Sequence, residues 1–379
     1  MTNTIVPLTM PKFGLAMTEG KLASWLVEPG QSVKQGDELA DIETSKITSG
    51  YESPTAGVLR KQVAPAGETL PVGALIGVLA DPAVSDADIE AFVTRFQAEQ
   101  STGEEAEGAN SADTEPHQVQ AGEYSLNVRD VGTGDDLPLL LIHGFGGDIS
   151  NWLLTQDALA SGRRVIAFDL PGHGASTKAV KDGSLVGLAR AVGDLLEALS
   201  IPKAHVMGHS LGGGIALTLL REHPDKVASL SLLAPAGLEK AVNMAFITGF
   251  IEADRNRAMQ QELEKLVHDK SLIGRKMVDS VMRARRLDGA RDALRTIAAA
   301  CFPNGEQGDD LRPVLDAAKV PIQLFWGEAD EVLPVAGADN VPSSVKKHIL
   351  AGVGHLPQLE KASEVNKETE EFLKERVAA

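Results

Sequence analysis

Apolar positions along this chain change their spacing twice. Over residues 1–80 they form short β-type runs broken by glycine, and the pattern repeats. Gly20-Lys21-Leu22 matches Gly57-Val58-Leu59, Pro29-Gly30 matches Ala66-Gly67, and Gly36 matches Gly73. Val33 matches Leu70, Leu39 matches Ile76 and Ile42 matches Leu79, every pair at an offset of 37. Each half predicts short strands separated by turns. Two such halves can pack as a small β sandwich or flattened barrel with quasi-twofold symmetry. Residues 85–98 then take a helical period, with Ile89, Phe92, Val93 and Phe96 on one face. Ser85 can cap this helix and acids fill its first turn. It can pack on the module before it or dock a partner enzyme.

Residues 99–118 carry almost no large apolar side chain and cannot bury enough surface to fold. A flexible linker of about twenty residues spans roughly 25 Å, and more under self-repulsion. From Tyr124 the pattern becomes α/β. Continuous apolar runs predict buried strands over 137–142, 165–168, 204–207, 227–233, 322–325 and 348–350, with helices such as 185–199 and 212–222 between them. That alternation predicts a mostly parallel sheet covered on both faces. Residues 238–312 interrupt the rhythm and read as an inserted helical cap, its Met244, Met259, Met277 and Met282 as core packing. The expected domains are therefore 1–80, a helix and acidic linker over 81–120, and 121–379.

Charge refines this picture. The net charge of −17 argues against nucleic acid as a partner. Residues 81–120 supply −9 of it, so the acidity belongs mainly to the linker. The single cysteine, Cys301, permits no internal disulfide and sits in no thiol-activating motif. The N-terminal residues show no charged region followed by an apolar run, and no stretch is long enough to span a bilayer. A cytoplasmic protein without a membrane or nucleic-acid partner is expected.

Gly208-His209-Ser210-Leu211-Gly212 lies between a predicted strand and a predicted helix, the context of a nucleophile elbow. A serine hydroxyl needs a base, and the base an orienting acid. In the order Ser, acid, His, the loop after a late strand supplies Asp330, favoured over Glu328 and Glu331. The loop after the last strand, Gly354-His355-Leu356-Pro357, supplies His355. His268 and His348 lack that loop context. The oxyanion donors are expected to be the N–H of Leu211 and that of Phe145 in His143-Gly144-Phe145-Gly146-Gly147. His143 and His173 read as structural. No metal is called for.

The N-terminal module resembles the lipoyl domains of the acyltransferase components of 2-oxo acid and acetoin dehydrogenase complexes. Met10-Pro11-Lys12, Gly20, the Glu43-Thr44-Ser45-Lys46 segment and Pro54-Thr55-Ala56-Gly57 carry the likeness. It implies that Lys46 bears lipoate through an amide. Biotinyl domains share the fold but set the lysine between methionines, which Lys46 lacks. Residues 122–376 resemble the α/β-hydrolase family through His-Gly-Phe-Gly-Gly, Asp-Leu-Pro-Gly-His-Gly, Gly-His-Ser-Leu-Gly-Gly and Gly-His-Leu-Pro. The expected fold is multidomain: a small all-β lipoyl/biotinyl-type sandwich, then an α/β-hydrolase fold with a helical cap.

The fusion resembles the dihydrolipoamide acetyltransferase components of acetoin-cleaving dehydrogenase complexes. The resemblance implies an acetyl group moving from dihydrolipoyl-lysine to coenzyme A. It implies as partners a thiamine-dependent acetoin-cleaving component and dihydrolipoamide dehydrogenase, within a homo-oligomer. Two features depart from other lipoyl acyltransferases: no His-x-x-x-Asp-Gly signature occurs, and the acidic residues 81–120 replace a basic docking domain. Two alternatives stand beside transfer: a carrier-tethered thioesterase, and a non-catalytic lipoyl carrier with a vestigial hydrolase fold.

Overall fold

The computed structural model describes residues 5–11, 19–34, 36–43, 48–81, 83–101, 115–339 and 341–377. The chain divides into two compact units, Met1–Asn110 and Ser111–Ala379.

Among its described residues the first unit has eight short strands: β1 (Ile5–Thr9), β2 (Glu19–Trp25), β3 (Ser32–Val33), β4 (Glu38–Glu43), β5 (Thr48–Glu52), β6 (Gly57–Gln62), β7 (Thr69–Pro71) and β8 (Leu75–Ala80). They form two antiparallel sheets, ordered β1-β8-β6-β3 and β5-β4-β2-β7. The sequence duplication is a backbone symmetry. Gly30 and Gly67 both sit at φ +93°, and Gly36 and Gly73 at +87° and +89°. The Gly30 N–H donates to Leu59 O at 2.7 Å, and its counterpart, the Gly67 N–H, donates to Leu22 O at 2.6 Å. The paired residues Leu22 and Leu59, Leu39 and Ile76, and Ile42 and Leu79 fill one core. Glu43 of β4 lies opposite Thr48 of β5. Residues 44–47 join these strands; they include Lys46 and lie outside the described residues.

Helix α1 (Asp86–Ser101) belongs to this unit. Strand β8 sends Ile76 and Leu79 inward, while Leu75, Val78 and Ala80 of its other face meet Ile89 and Val93 of α1. Arg60 donates to Val84 O at 2.8 Å and pairs with Asp86 at 2.6 Å, which fixes the entry to the helix. The apolar stripe of α1 is thus covered by its own module. The expected linker segment 81–120 divides in the structure: its first part packs on the sandwich, and its last residues open the sheet of the second unit at His117.

The second unit is an eight-stranded sheet. Its strands are β9 (His117–Ala121), β10 (Tyr124–Val131), β11 (Asp136–Ile142), β12 (Arg163–Phe168), β13 (Ala204–His209), β14 (Val227–Leu233), β15 (Ile322–Gly327) and β16 (Lys346–Leu350). The spatial order is β16-β15-β14-β13-β11-β12-β10-β9. β9 and β10 are antiparallel additions, and the remaining neighbours run parallel. The central parallel strands are buried nearly throughout, as their apolar runs predict, whereas the edge strand β16 buries only Leu350, against the expected buried run 348–350. Helices α2 (Leu185–Ala198) and α3 (Leu211–Glu222) contribute to the core of one face; the C-terminal helix Ala362–Val377 contributes Val365, Phe372 and Leu373 to the other. Between β14 and β15 the chain builds the cap from α4 (Met244–Glu252), α5 (Asn256–Leu263), α6 (Arg275–Arg285) and α7 (Ala290–Cys301). Met259 and Met282 are buried in its core, as expected. Met277 instead faces the cavity described next.

Candidate active site

Neighbouring parallel strands β11 and β13 place Ile142 beside Gly208. The loops leaving their C-terminal ends therefore meet, at the kind of crevice where α/β sheets bind ligands. Ser210 fills the turn from β13 into α3 at φ +54°, ψ −116°, a conformation that costs a non-glycine residue roughly 1–3 kcal/mol. The turn closes because its neighbours lack side chains. A Cβ on Gly208 would lie 2.4 Å from Gly212 O, and one on Gly212 would lie 2.1 Å from Ile142 O.

Asp330 follows β15 and His355 follows β16. The His355 Nδ1–H donates to Asp330 Oδ2 at 2.7 Å, with both side chains essentially fully buried. The other Asp330 oxygen accepts the N–H groups of Val332 at 2.8 Å and Leu333 at 2.9 Å, and Trp326 Nε1 donates to Oδ2 at 3.1 Å. These donors hold a carboxylate, so the ring nitrogen facing Asp330 carries the proton and His355 Nε2 is left as the basic one. Glu328 and Glu331 are exposed. His348 stacks on Phe325 at 4.4 Å between ring centroids, away from this cluster, and His268 is exposed.

Ser210, Leu211, Phe145 and His355 line one cavity of about 120 Å³, which Asp330 does not reach. The cap supplies apolar lining from Phe246, Ile247, Phe250, Leu263 and Met277. The loop after β11 passes along Ser210: a Cβ on Gly144 would lie 3.1 Å from the serine Cβ. Two histidines pin that loop. The His143 Nδ1–H donates to Gly144 O at 2.8 Å, and its Nε2 accepts the Leu170 N–H at 3.0 Å. His173 Nε2 accepts the Gly146 N–H at 3.1 Å, and its Nδ1–H donates to Pro171 O at 3.0 Å. Burial holds His143 below its ordinary value; burial and then the neighbouring His143 push His173 down to about 3. Both are neutral hydrogen-bonding posts outside the cavity. Nearby amides are engaged as well: the Ser210 N–H with Leu233 O at 2.9 Å, and the Gly147 N–H with Gly144 O at 3.1 Å. The Phe145 and Leu211 N–H groups take no part in this set. Two amides beside a buried serine and an Asp-oriented histidine can stabilise the oxyanion of acyl transfer.

Three residues of this region have places that the sequence motifs do not assign. His209 Nε2–H donates to the carbonyl of His355 at 2.7 Å and ties the elbow to the base loop. Glu360 accepts the N–H groups of Gly354 at 2.6 Å, His268 at 2.8 Å and Asp269 at 3.1 Å, joining that loop to the cap. Gln358 is buried on the cavity wall. Cys301 is excluded from the chemistry: burial raises its thiol to about 12, and it faces Gly183 O at 3.3 Å. Among the described residues no side-chain cluster could hold a metal ion, and no helix is long and apolar enough to cross a membrane.

Comparison with known proteins places this geometry. A family model for the alpha/beta hydrolase fold matches residues 138–362, and one for biotin-requiring enzymes, which covers biotin and lipoyl attachment domains, matches residues 6–79. A curated relative from Pseudomonas putida, named the dihydrolipoyllysine-residue acetyltransferase component of an acetoin cleaving system, is 42% identical over 98% of this chain and 99% of its own. One of the same name from Cupriavidus necator is 38% identical over 97% and 96%. The chain belongs to this acetyltransferase family. It is therefore an enzyme with a lipoyl-type domain fused to an α/β-hydrolase fold. The second unit shares its fold with hydrolases of known structure. A meta-cleavage product hydrolase from Pseudomonas fluorescens superposes with a TM-score of 0.62 at 25% identity, over 68% of this chain and 97% of that one.

Proposed function

We propose that this acetyltransferase takes an acetyl group from a lipoyl arm on Lys46 and passes it to coenzyme A through an acetyl-Ser210 intermediate. The observation that carries the reading is the buried 2.7 Å contact between His355 and Asp330, with His355 opening on the cavity that also holds Ser210. The lipoyl attachment fits the first unit. β4 and β5 pair up to Glu43 and Thr48, and the segment joining them contains one lysine, Lys46. Bound there, lipoate supplies the thiol that presents the acetyl group as a thioester.

The chain's residues then divide the work. His355 Nε2 takes the Ser210 proton as Oγ attacks the thioester carbonyl. The Leu211 and Phe145 amides receive the developing oxyanion. The carbon–sulfur bond breaks, and His355 returns the proton to the departing sulfur. His355 next deprotonates the coenzyme A thiol, which attacks the acetyl-serine, and Ser210 regains its proton as the ester bond breaks. Asp330 holds the imidazole in the required tautomer and balances its charge. The partners of this role are a thiamine-dependent acetoin-cleaving component and dihydrolipoamide dehydrogenase, in the cytoplasm, with the chain as a homo-oligomer.

A second reading rests on one observation: the similar solved structure is a hydrolase, and water in place of coenzyme A would yield acetate. The test uses lipoylated full-length protein acetylated on its reduced arm, mixed with coenzyme A, beside Ser210→Ala. Acetyl-coenzyme A formed by the wild type and lost in the variant is the expected result. Acetate released at the same rate with or without coenzyme A would overturn transfer in favour of a thioesterase. Acetyl-coenzyme A made equally by Ser210→Ala would overturn the acyl-serine route.

A further inference from the structure

Gln358 stands on the cavity wall one helical turn past His355, at the start of the short helix Pro357–Glu360. It is 1% exposed, and neither its Oε1 nor its Nε2 has a hydrogen-bond partner among the described residues. A buried amide left unpaired costs about 1–3 kcal/mol, so a protein keeps one where something else will pair with it. The helix packs against the 3₁₀ turn Ile149–Trp152. Asp148, Ser150 and Asn151 of that loop also line the cavity, and Ser150 is the one exposed residue among the lining. Gln358 therefore shares the cavity lining with these polar residues, while the cap supplies much of the apolar lining.

We propose that Gln358 recognises a secondary amide on the arm that brings the thiol or thioester to Ser210. The inference rests on the transfer reading above. An unpaired glutamine offers both a donor and an acceptor, and the ligand must supply the opposite of each. The acetyl group has one polar atom, its carbonyl oxygen, which the Leu211 and Phe145 amides take. The alkyl chain beside the coenzyme A sulfur has none, and that of the reduced lipoyl arm adds only its second thiol, a weak donor and weak acceptor. The first strong hydrogen-bonding group is a secondary amide in both arms: two carbons from sulfur in coenzyme A, and at the lysine linkage in the lipoyl arm. Each amide carries one N–H and one C=O. The same contact discriminates, because a ligand without the amide leaves Gln358 unpaired.

Two arms of one experiment separate the sources, both with full-length enzyme and Gln358→Met, which keeps the length and removes the amide. In the acceptor arm, p-nitrophenyl acetate acylates Ser210, and N-acetylcysteamine competes with ethanethiol for the acetyl group. In the donor arm, the acetyl thioester of dihydrolipoyl N-methylamide is compared with that of dihydrolipoyl methyl ester. The wild type is expected to favour the amide compound in at least one arm by about ten- to hundredfold in kcat/KM, and Gln358→Met to bring that ratio close to one. Collapse in the acceptor arm assigns the contact to coenzyme A, and collapse in the donor arm to the lipoyl linkage. Ratios unchanged by the substitution in both arms overturn the proposal. A lower Tm with unchanged ratios makes Gln358 a structural residue; if it binds ligand instead, Gln358→Met melts at or above the wild type. Turnover that survives in Ser210→Ala would sink the acyl-serine reading alone, because the amide ratio would still report on the wall.

Discussion

Lowering the pH from 7.5 to 5.5 should destabilise the second unit before any carboxylate titrates. Besides His355, four histidines are buried there: His143, His173, His205 and His209. Burial is the leading cause that depresses each of them, to about 3 for His173 and about 4 for His205. In the unfolded chain each titrates near 6.5. Below that value the unfolded chain binds protons that the folded chain refuses, so folding stability is present above pH 6.5 and is lost as pH falls. Over these two pH units one such histidine costs about 1.4 kcal/mol. His173 and His205 together cost about 3 kcal/mol, and His143 and His209 act in the same direction. At this size about 3 kcal/mol corresponds to a Tm lower by roughly 6–12 °C. The structure also says what breaks. A proton on His173 Nε2 would point a donor at the Gly146 N–H, and one on His143 Nε2 would do the same at the Leu170 N–H. Calorimetry at the two pH values measures the shift. His205→Gln, far from the cavity with its ring on Ser229 Oγ at 2.8 Å, should remove about 1.4 kcal/mol of the pH dependence. A Tm that is flat or rises on acidification would refute the reasoning.

Two further outcomes follow from the geometry. Asp330→Asn keeps the size of the side chain but turns an acceptor into a donor facing His355 or the Val332 and Leu333 amides. Ester turnover should fall about 10³–10⁴-fold with a small change in KM, and a loss under tenfold would remove Asp330 from the chemistry. Gly30→Ala and Gly67→Ala should each cost the first unit about 1 kcal/mol, because both backbones sit at φ +93° with open space where the Cβ would go. Denaturation giving markedly unequal costs would refute the symmetry argument.

What the sequence made legible follows from how local each signal is. The parallel strands and the elbow at Ser210 were legible because a buried strand is a continuous apolar run and the glycines around the serine are sterically required. Asp330 and His355 were legible because each follows its strand in a short loop of recognisable residues. The duplication was legible down to the paired glycines, since a positive φ leaves a mark on residue choice. Strands β9 and β10 were not named. They are antiparallel, and the outward positions such as Gln118, Ser125 and Arg129 break their apolar runs. The apolar face of α1 was visible, but its destination was not, because pairing with β8 depends on β8 being apolar on both faces. Gln358 looks like any surface glutamine until its short helix packs against β15, the C-terminal helix and the turn Ile149–Trp152. His209 and Glu360 act through contacts made across 146 and 92 positions, which no local pattern encodes.

Those distant contacts bear on how the cap can behave. The His355 N–H donates to Leu266 O of the cap at 2.8 Å, and Glu360 binds the amides of both Gly354 and His268. On the other side His209 holds the His355 carbonyl. The cap, the His355 loop and the turn at Ser210 are therefore one hydrogen-bonded assembly, with His355 in the middle. Lifting the cap wholesale would pull on the backbone of His355 and shift Nε2 by distances that acyl transfer does not tolerate. On the transfer proposed above, a substrate arm entering beside Ser150, the exposed residue of the lining, would leave those bonds intact. An arm lying there would displace water from the cavity, and a preference for a thiol over water would then ask for no change in the serine, histidine and aspartate.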